Sequence, residues 1–198
     1  MKFAHFSHIW NKPGMTPHQR YEQLWRELQL CDDLGFDYSF CVEHHFCPDE
    51  SWMSSPSLYA VAAGARTKRM RIGPMGYIVP LYHPLRLAEE IAIVDQMLGG
   101  RMELGLVPGI NPKYFTPFGL DYGFRKSPTL EFVDYLRAAF GEQQPFSFHG
   151  ENHLAKIRYQ QGKNQQTQKL LEKAIELEKD KQKLDVYQAK LLSLKASK

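Results

Sequence analysis

The chain has 198 residues, 43% hydrophobic and 13% aromatic. That is enough apolar material for a packed core and too much for a disordered polymer. No run approaches the roughly 18 apolar residues of a membrane span, and no basic segment followed by an apolar one marks a secretory leader. Three cysteines, Cys31, Cys41 and Cys47, lack a CxxC spacing, which argues against a disulfide scaffold or a zinc finger and for a reducing, cytoplasmic setting. A net charge of +3 is too small to indicate nucleic acid and is unevenly spread: residues 1–154 hold 14 Lys and Arg against 17 Asp and Glu, residues 155–198 hold 11 against 5.

Phe3 to Ile9 reads as a strand. Thr16 suits an N-cap, with Pro17 first in the helix and Gln19 third. Tyr21, Leu24, Trp25, Leu28, Cys31 and Leu34 share one helical face, and Gly35 stops it. Phe36 to Val42 reads as a second strand ending at Glu43-His44-His45. Pro56 opens a helix to about Gly64, and Arg71 to Val79 is a third strand. Pro84 opens a helix with Leu87, Ile91, Val94 and Leu98 in register, closed by Gly99-Gly100. Met102 to Val107 is a fourth strand, a helix spans about Ser127 to Phe140, and Phe146 to Phe148 fits a short extra strand. Such alternation implies a parallel sheet with right-handed crossovers, either open or part of a barrel. No GxGxxG follows the first strand, which weakens a dinucleotide-binding reading.

Residues 155–198 are a different kind of polypeptide, with no Pro, one Gly and seven Gln. Leu170, Leu171, Ala174, Ile175 and Leu177, continued by Leu184, Tyr187, Leu191 and Leu194, form an apolar stripe, so 154–198 reads as an amphipathic helical tail. Interleaved acids and only two aromatics weigh against a nucleic-acid arm. Gly162, Leu171 and Ala174 weakly resemble the spacing of one tetratricopeptide repeat.

In a parallel sheet the loops after the strands gather at one rim, where ligands bind. Glu43-His44-His45 falls there, and an imidazole beside a carboxylate can move protons near neutral pH. The plainer alternative is a hydrogen-bonded rim loop. Adjacent histidines on extended backbone face opposite ways, and no third ligand is placed near them, so no metal site is expected. Arg86, Glu89 and Asp95 read as solvated or inter-helix charges, and Gly99-Gly100-Arg101 as a helix stop.

Three segments, GFDYSFCVEHHF (35–46), MRIGPMGYIVPLYHPLRLAEEIAIVDQMLGGRMELGLVPG (70–109) and FGLDYGFRKSPTLEFVDYLRAAF (118–140), resemble the luciferase-like flavin monooxygenases. EHHF, HPxRxAEE and GGR occur in order at family spacing, and the likeness covers most of residues 1–153. It implies a (β/α)₈ TIM barrel, of which 1–153 supplies about four units as a truncated half barrel, with 154–198 the helical tail. It also implies reduced FMN, with F420 the lesser alternative, plus O2 and a small apolar, aldehyde-like substrate. His44 and His45 are the implied catalytic pair beside the flavin, His44 first as general acid or base. Glu43, Met75 and Gly76 are implied at the cofactor, the last two at a backbone kink under the ring, where the missing Cβ of Gly76 leaves room. Val107-Pro108-Gly109 stands where the family commonly places an arginine before the glycine. A half barrel leaves strand edges open, which implies a homo- or hetero-oligomer. Two functions stay open: a monooxygenase impaired by truncation, or a non-catalytic remnant acting as a partner subunit.

Overall fold

Prolines and caps set the starts of the helices. In the computed structural model, which describes residues 1–10, 12–141, 148 and 150, helix α1 spans Pro17–Asp33. The Thr16 side chain accepts from the Gln19 N–H while the Gln19 side chain accepts from the Thr16 N–H, a complete capping box. Helices α2 (Pro56–Gly64) and α3 (Pro84–Met97) both open on proline, whose fixed φ suits a first turn where no N–H bond is needed. Helix α4 spans Lys126–Ala139. Gly35, Gly99 and Gly100 follow α1 and α3 with φ of 88°, 61° and 78°, the left-handed geometry that glycine enters without a Cβ penalty.

The strands are shorter than the apolar runs suggest: β1 is Ala4–Ser7, β2 Tyr38–Cys41, β3 Arg71–Pro74, β4 Tyr77–Ile78 and β5 Leu106–Val107. All pairings are parallel. β1, β2 and β3 lie in that order, with Phe6, Phe40 and Gly73 in register, and β4 pairs with β5. The expected third strand is therefore two pieces, broken at Met75-Gly76, and the chain shifts neighbours across the break. Before it, the strand lies on β2, and the Met75 N–H donates to the Cys41 carbonyl at 2.7 Å. After it, the Tyr77 N–H donates to the Gly105 carbonyl at 2.8 Å. The expected fourth strand is likewise reduced to β5 and a bridge between Ile72 and Met102. A Cβ on Gly73 would overlap the Glu103 backbone, so this crowded seam requires glycine.

One face of the sheet carries Ser39, Cys41 and Ile72, all fully buried. α2 covers it with Tyr59, Ala60 and Ala63, and the Tyr59 and Ser39 hydroxyls bond at 2.5 Å. Phe6, Tyr38 and Phe40 lie on the other face; Tyr38 and Phe40 stack, and Phe6 is 49% exposed. At the N-terminal end of the strands, the Asp32 carboxylate accepts from the N–H groups of Lys68 (2.7 Å), Arg69 (3.1 Å) and Met70 (2.8 Å). Burial alone would raise its pKa, but those three bonds and the Arg69 charge bring it below the ordinary value. Arg101 is pinned nearby, donating to the carbonyls of Leu98, Met70 and Gly64 and to the Thr67 hydroxyl.

The chain divides into two units, Met1–Val133 and Asp134–Lys198. The first contains everything described above except the end of α4. In the second, Arg137 pairs with Asp134 and the Tyr135 ring meets Phe148 edge-on. The expected tail, 154–198, lies outside the described residues, as does most of the short strand expected at 146–148. Among the described residues, no helix is long and apolar enough to cross a membrane.

Candidate active site

The C-terminal ends of the strands surround a cleft of about 170 Å³ lined by Val42, Glu43, His44, Met75, Gly76, Ile78, Val107, Gly109, Ile110 and Tyr114. Four of the five residues expected at the site, Glu43, His44, Met75 and Gly76, thus share one cleft. His45 stands behind it, against Glu43 and Phe118.

Glu43 follows β2 and is 4% exposed. Its Oε2 accepts from the Ile78 N–H at 2.7 Å. Its Oε1 accepts from the Tyr82 hydroxyl at 2.8 Å and lies 2.7 Å from His45 Nε2. The carboxylate thus ties β2 to β4 and to the turn before α3, with three partners meeting the cost of its burial. Burial, and then the Glu43 charge and hydrogen bond, hold the Tyr82 hydroxyl protonated far above its ordinary range.

His44 faces the other way, as neighbouring residues on extended backbone do. Its N–H donates to the Met53 carbonyl at 2.8 Å. Its Nδ1 lies 3.3 Å from Glu50 Oε2, although the angle is not that of a hydrogen bond. Its ring meets His8 edge-on at 5.5 Å and Tyr114 at 5.3 Å. Burial lowers its pKa, the Glu50 charge opposes this, and His8 and His45 add to it, so the imidazole is neutral at pH 7.

Gly76 lies in the break between β3 and β4. A Cβ there would run into the methyls of Val107, so the immediate need for glycine comes from packing against the strand next door. Met75, 58% exposed, lies on the cleft wall. Val107-Pro108-Gly109 carries the chain past the cleft into three short 3₁₀ turns, at 112–114, 116–118 and 122–124.

Three further residues belong to this site. His8 follows β1, stacks on Trp10 at 4.7 Å, and has a buried Nδ1 without a hydrogen bond. Applying the rim rule to β1 as well as to β2 would have found it. Glu50 and Tyr114 meet across 64 positions of sequence, the Tyr114 hydroxyl donating to Glu50 Oε2 at 2.6 Å; no local pattern signals that contact. Arg86 and Asp95 act elsewhere, Arg86 in an exposed pair with Glu90 and Asp95 accepting from the Met102 N–H.

The model of the luciferase-like monooxygenase family matches residues 1–169. The chain belongs to that family. The match runs past the change of composition near residue 154. This luciferase-like chain is 32% identical over 138 residues to the alkanal monooxygenase alpha chain of Aliivibrio fischeri, covering 69% of itself and 38% of that protein. Among solved structures it is similar to the monooxygenase RslO1 of Streptomyces bottropensis (TM-score 0.71, 28% identity, 76% of this chain and 46% of that one). Its fold is also like that of the oxygenating constituent of Pseudomonas putida 3,6-diketocamphane monooxygenase, solved with FMN (TM-score 0.65, 24% identity, 76% and 43%). An F420-dependent secondary alcohol dehydrogenase holding an F420–acetone adduct shares the fold too (TM-score 0.59, 20% identity, 75% and 44%). The luciferase-like chain spans only 38% of the length of the Aliivibrio relative.

Proposed function

We propose that the cleft receives the isoalloxazine ring of reduced FMN and that the chain serves flavin-dependent oxygenation, by O2, of a small apolar, aldehyde-like substrate. The observation that carries this reading is the setting of His44, a neutral imidazole on the wall of an apolar cleft at the ligand-binding end of a parallel sheet. The lining fits a flat aromatic group. Val42, Met75, Ile78, Val107 and Ile110 offer aliphatic surface, while Glu43, His44 and Tyr114 supply the polar side chains. The cleft is smaller than the roughly 300–1,000 Å³ of a typical ligand pocket, and among the described residues no Lys or Arg lines it, so it suits the ring and not the phosphate.

When bound, reduced flavin would supply the electrons that activate O2. The chain's own part is to present aliphatic surface to the ring, keep water from it, and let His44 take up and return a proton at the reacting atoms. His45, held by Glu43, fixes the backbone from which His44 projects. FMN is preferred to F420 because of the paired histidines. In this reading β1–β5 and α1–α4 are four units of a (β/α)₈ barrel, and a partner chain closes the open edge of β1. A second reading, a non-catalytic partner subunit, is favoured by the lack of a basic side chain on the cleft among the described residues.

Titrating FMN into the chain while following flavin fluorescence tests the proposal. Saturable quenching at micromolar concentrations, weakened by Gly76→Leu, is expected. No quenching, together with flavin-dependent oxygen uptake unaffected by His44→Ala, would leave the non-catalytic reading.

A further inference from the structure

Two carboxylates serve the adjacent histidines, and they are held very differently. Glu43 has both its oxygens engaged, by Ile78, Tyr82 and His45. Glu50 stands on the turn after Cys47, its side chain 41% exposed, with two neighbours in reach: the Tyr114 hydroxyl at 2.6 Å and His44 Nδ1 at 3.3 Å. The loop that carries it is docked. The Ser51 hydroxyl bonds the His8 carbonyl, the Trp52 N–H donates to the Ile9 carbonyl at 3.2 Å, and the His44 N–H donates to the Met53 carbonyl at 2.8 Å. Tyr114 is fixed as well, buried with Ile78 and Phe115.

We infer that Glu50, clamped by the Tyr114 hydroxyl, is the positioning carboxylate of His44: standing 3.3 Å from Nδ1, outside hydrogen-bond geometry, its charge favours uptake of a proton by the ring. This rests on the reading of His44 as the acid–base group. The arrangement follows the general logic by which a carboxylate beside an imidazole raises its basicity. The Glu50 charge opposes the fall in proton affinity that burial imposes on His44, while the nearby His8 and His45 rings favour the neutral state; Glu43 acts from farther off, through His45. Tyr114 keeps its proton, since burial and the bond to Glu50 both raise its pKa, so it remains a donor across the working pH range.

The test is NMR of the histidine rings in the full chain without flavin, titrated over pH, with His44→Ala to assign the signal. In Glu50→Gln the His44 midpoint should fall by about half a pH unit or more, since an opposite charge within roughly 4–6 Å favours the protonated ring. In Tyr114→Phe, which frees the Glu50 carboxylate, the His44 midpoint should shift in the same direction by a smaller amount. An unchanged midpoint in Glu50→Gln, with the remaining spectrum intact, overturns the inference. An unchanged His44 midpoint in Tyr114→Phe removes the clamp. Should Glu50→Gln disturb the loop, Glu50→Asp keeps the charge and withdraws it by one methylene; a midpoint identical to that of the parent chain would again count against the role. FMN titration runs separately: failure to bind flavin would sink the functional reading while leaving the His44 result intact.

Discussion

At the N-terminal end of the strands, Asp32 gathers three backbone N–H groups and Arg101 reaches four acceptors. At the C-terminal end, His8 and His44 keep buried ring nitrogens without a hydrogen bond, and Trp10, Phe46, Met75, Ile110 and Phe118 stand exposed. Ile9 and Phe46 also hold φ of 52° and 54° there, a conformation that costs a residue with a Cβ about 1–2 kcal/mol. One end of the sheet thus locks the chain passages together, while the other carries strain, open apolar surface and unsatisfied nitrogens, as the proposed ligand-binding end would.

The comparison is broken most sharply by substitutions that exchange the roles of the two ends. His44→Ala should lower flavin-dependent oxygen uptake by roughly 10²–10⁴-fold, the usual worth of a positioned acid–base group, while urea unfolding changes by less than ~1 kcal/mol. Because the native pKa of His44 is depressed, the free imidazole persists to a pH below its ordinary 6.5, and activity that needs it should fall only as pH drops through that lowered value. A profile with its acid limb above 6.5 would count against His44 as the group observed.

Asp32→Ala should cost about 1–3 kcal/mol in urea unfolding, since it leaves the buried Met70 N–H without its acceptor, while the His44 titration stays in place. The pH dependence has a definite sign. Asp32 has a depressed native pKa, so its contribution is complete above the ordinary 3.8 and is lost as pH falls through the lower native value. Asp32→Asn should flatten the stability curve in that acid range. A loss below 1 kcal/mol in Asp32→Ala would mean that the N-terminal end is not what holds the sheet.

Gly76→Ala sharpens the contrast at the seam between the ends. The added Cβ meets Val107 and should cost ~1–3 kcal/mol by overpacking; Val107→Ala in the same chain should restore much of it, as thermal unfolding of the double variant would show. Smallest is Phe46→Gly, on the strained and 70% exposed residue after the histidines. It should change stability by under ~1 kcal/mol, with relief of the left-handed φ set against the added freedom of the unfolded chain, and it should weaken FMN quenching if that aromatic edge borders the ligand.

Much of the framework is legible in residues that act locally. Thr16, Pro17 and Gln19 announce α1, Pro56 and Pro84 open α2 and α3, and Gly35 and Gly99-Gly100 end helices by adopting backbone that other residues avoid. The EHHF segment could be placed at a strand end because alternation alone orders a parallel sheet. The break at Met75-Gly76 was not legible from periodicity, because the apolar run from Arg71 to Val79 continues through it; crowding by the next strand imposes it. Asp32 reads as one more polar residue at a helix end until the turn before β3 is folded onto it.

The amino-acid order by itself therefore determined the helix starts and stops, the parallel sense of the strands, the family and the position of the histidine pair, since all of these depend on neighbours within a turn or on a motif read in sequence. Only the tertiary structure decided which carboxylate serves which histidine. Glu43 adjoins His44 in sequence yet bonds His45 and the Ile78 N–H, whereas Glu50 reaches His44 through a folded-back loop and is held by Tyr114, far along the chain. Such charges meet because distant loops converge at one end of the sheet, and that convergence is a property of packing that no local spacing encodes.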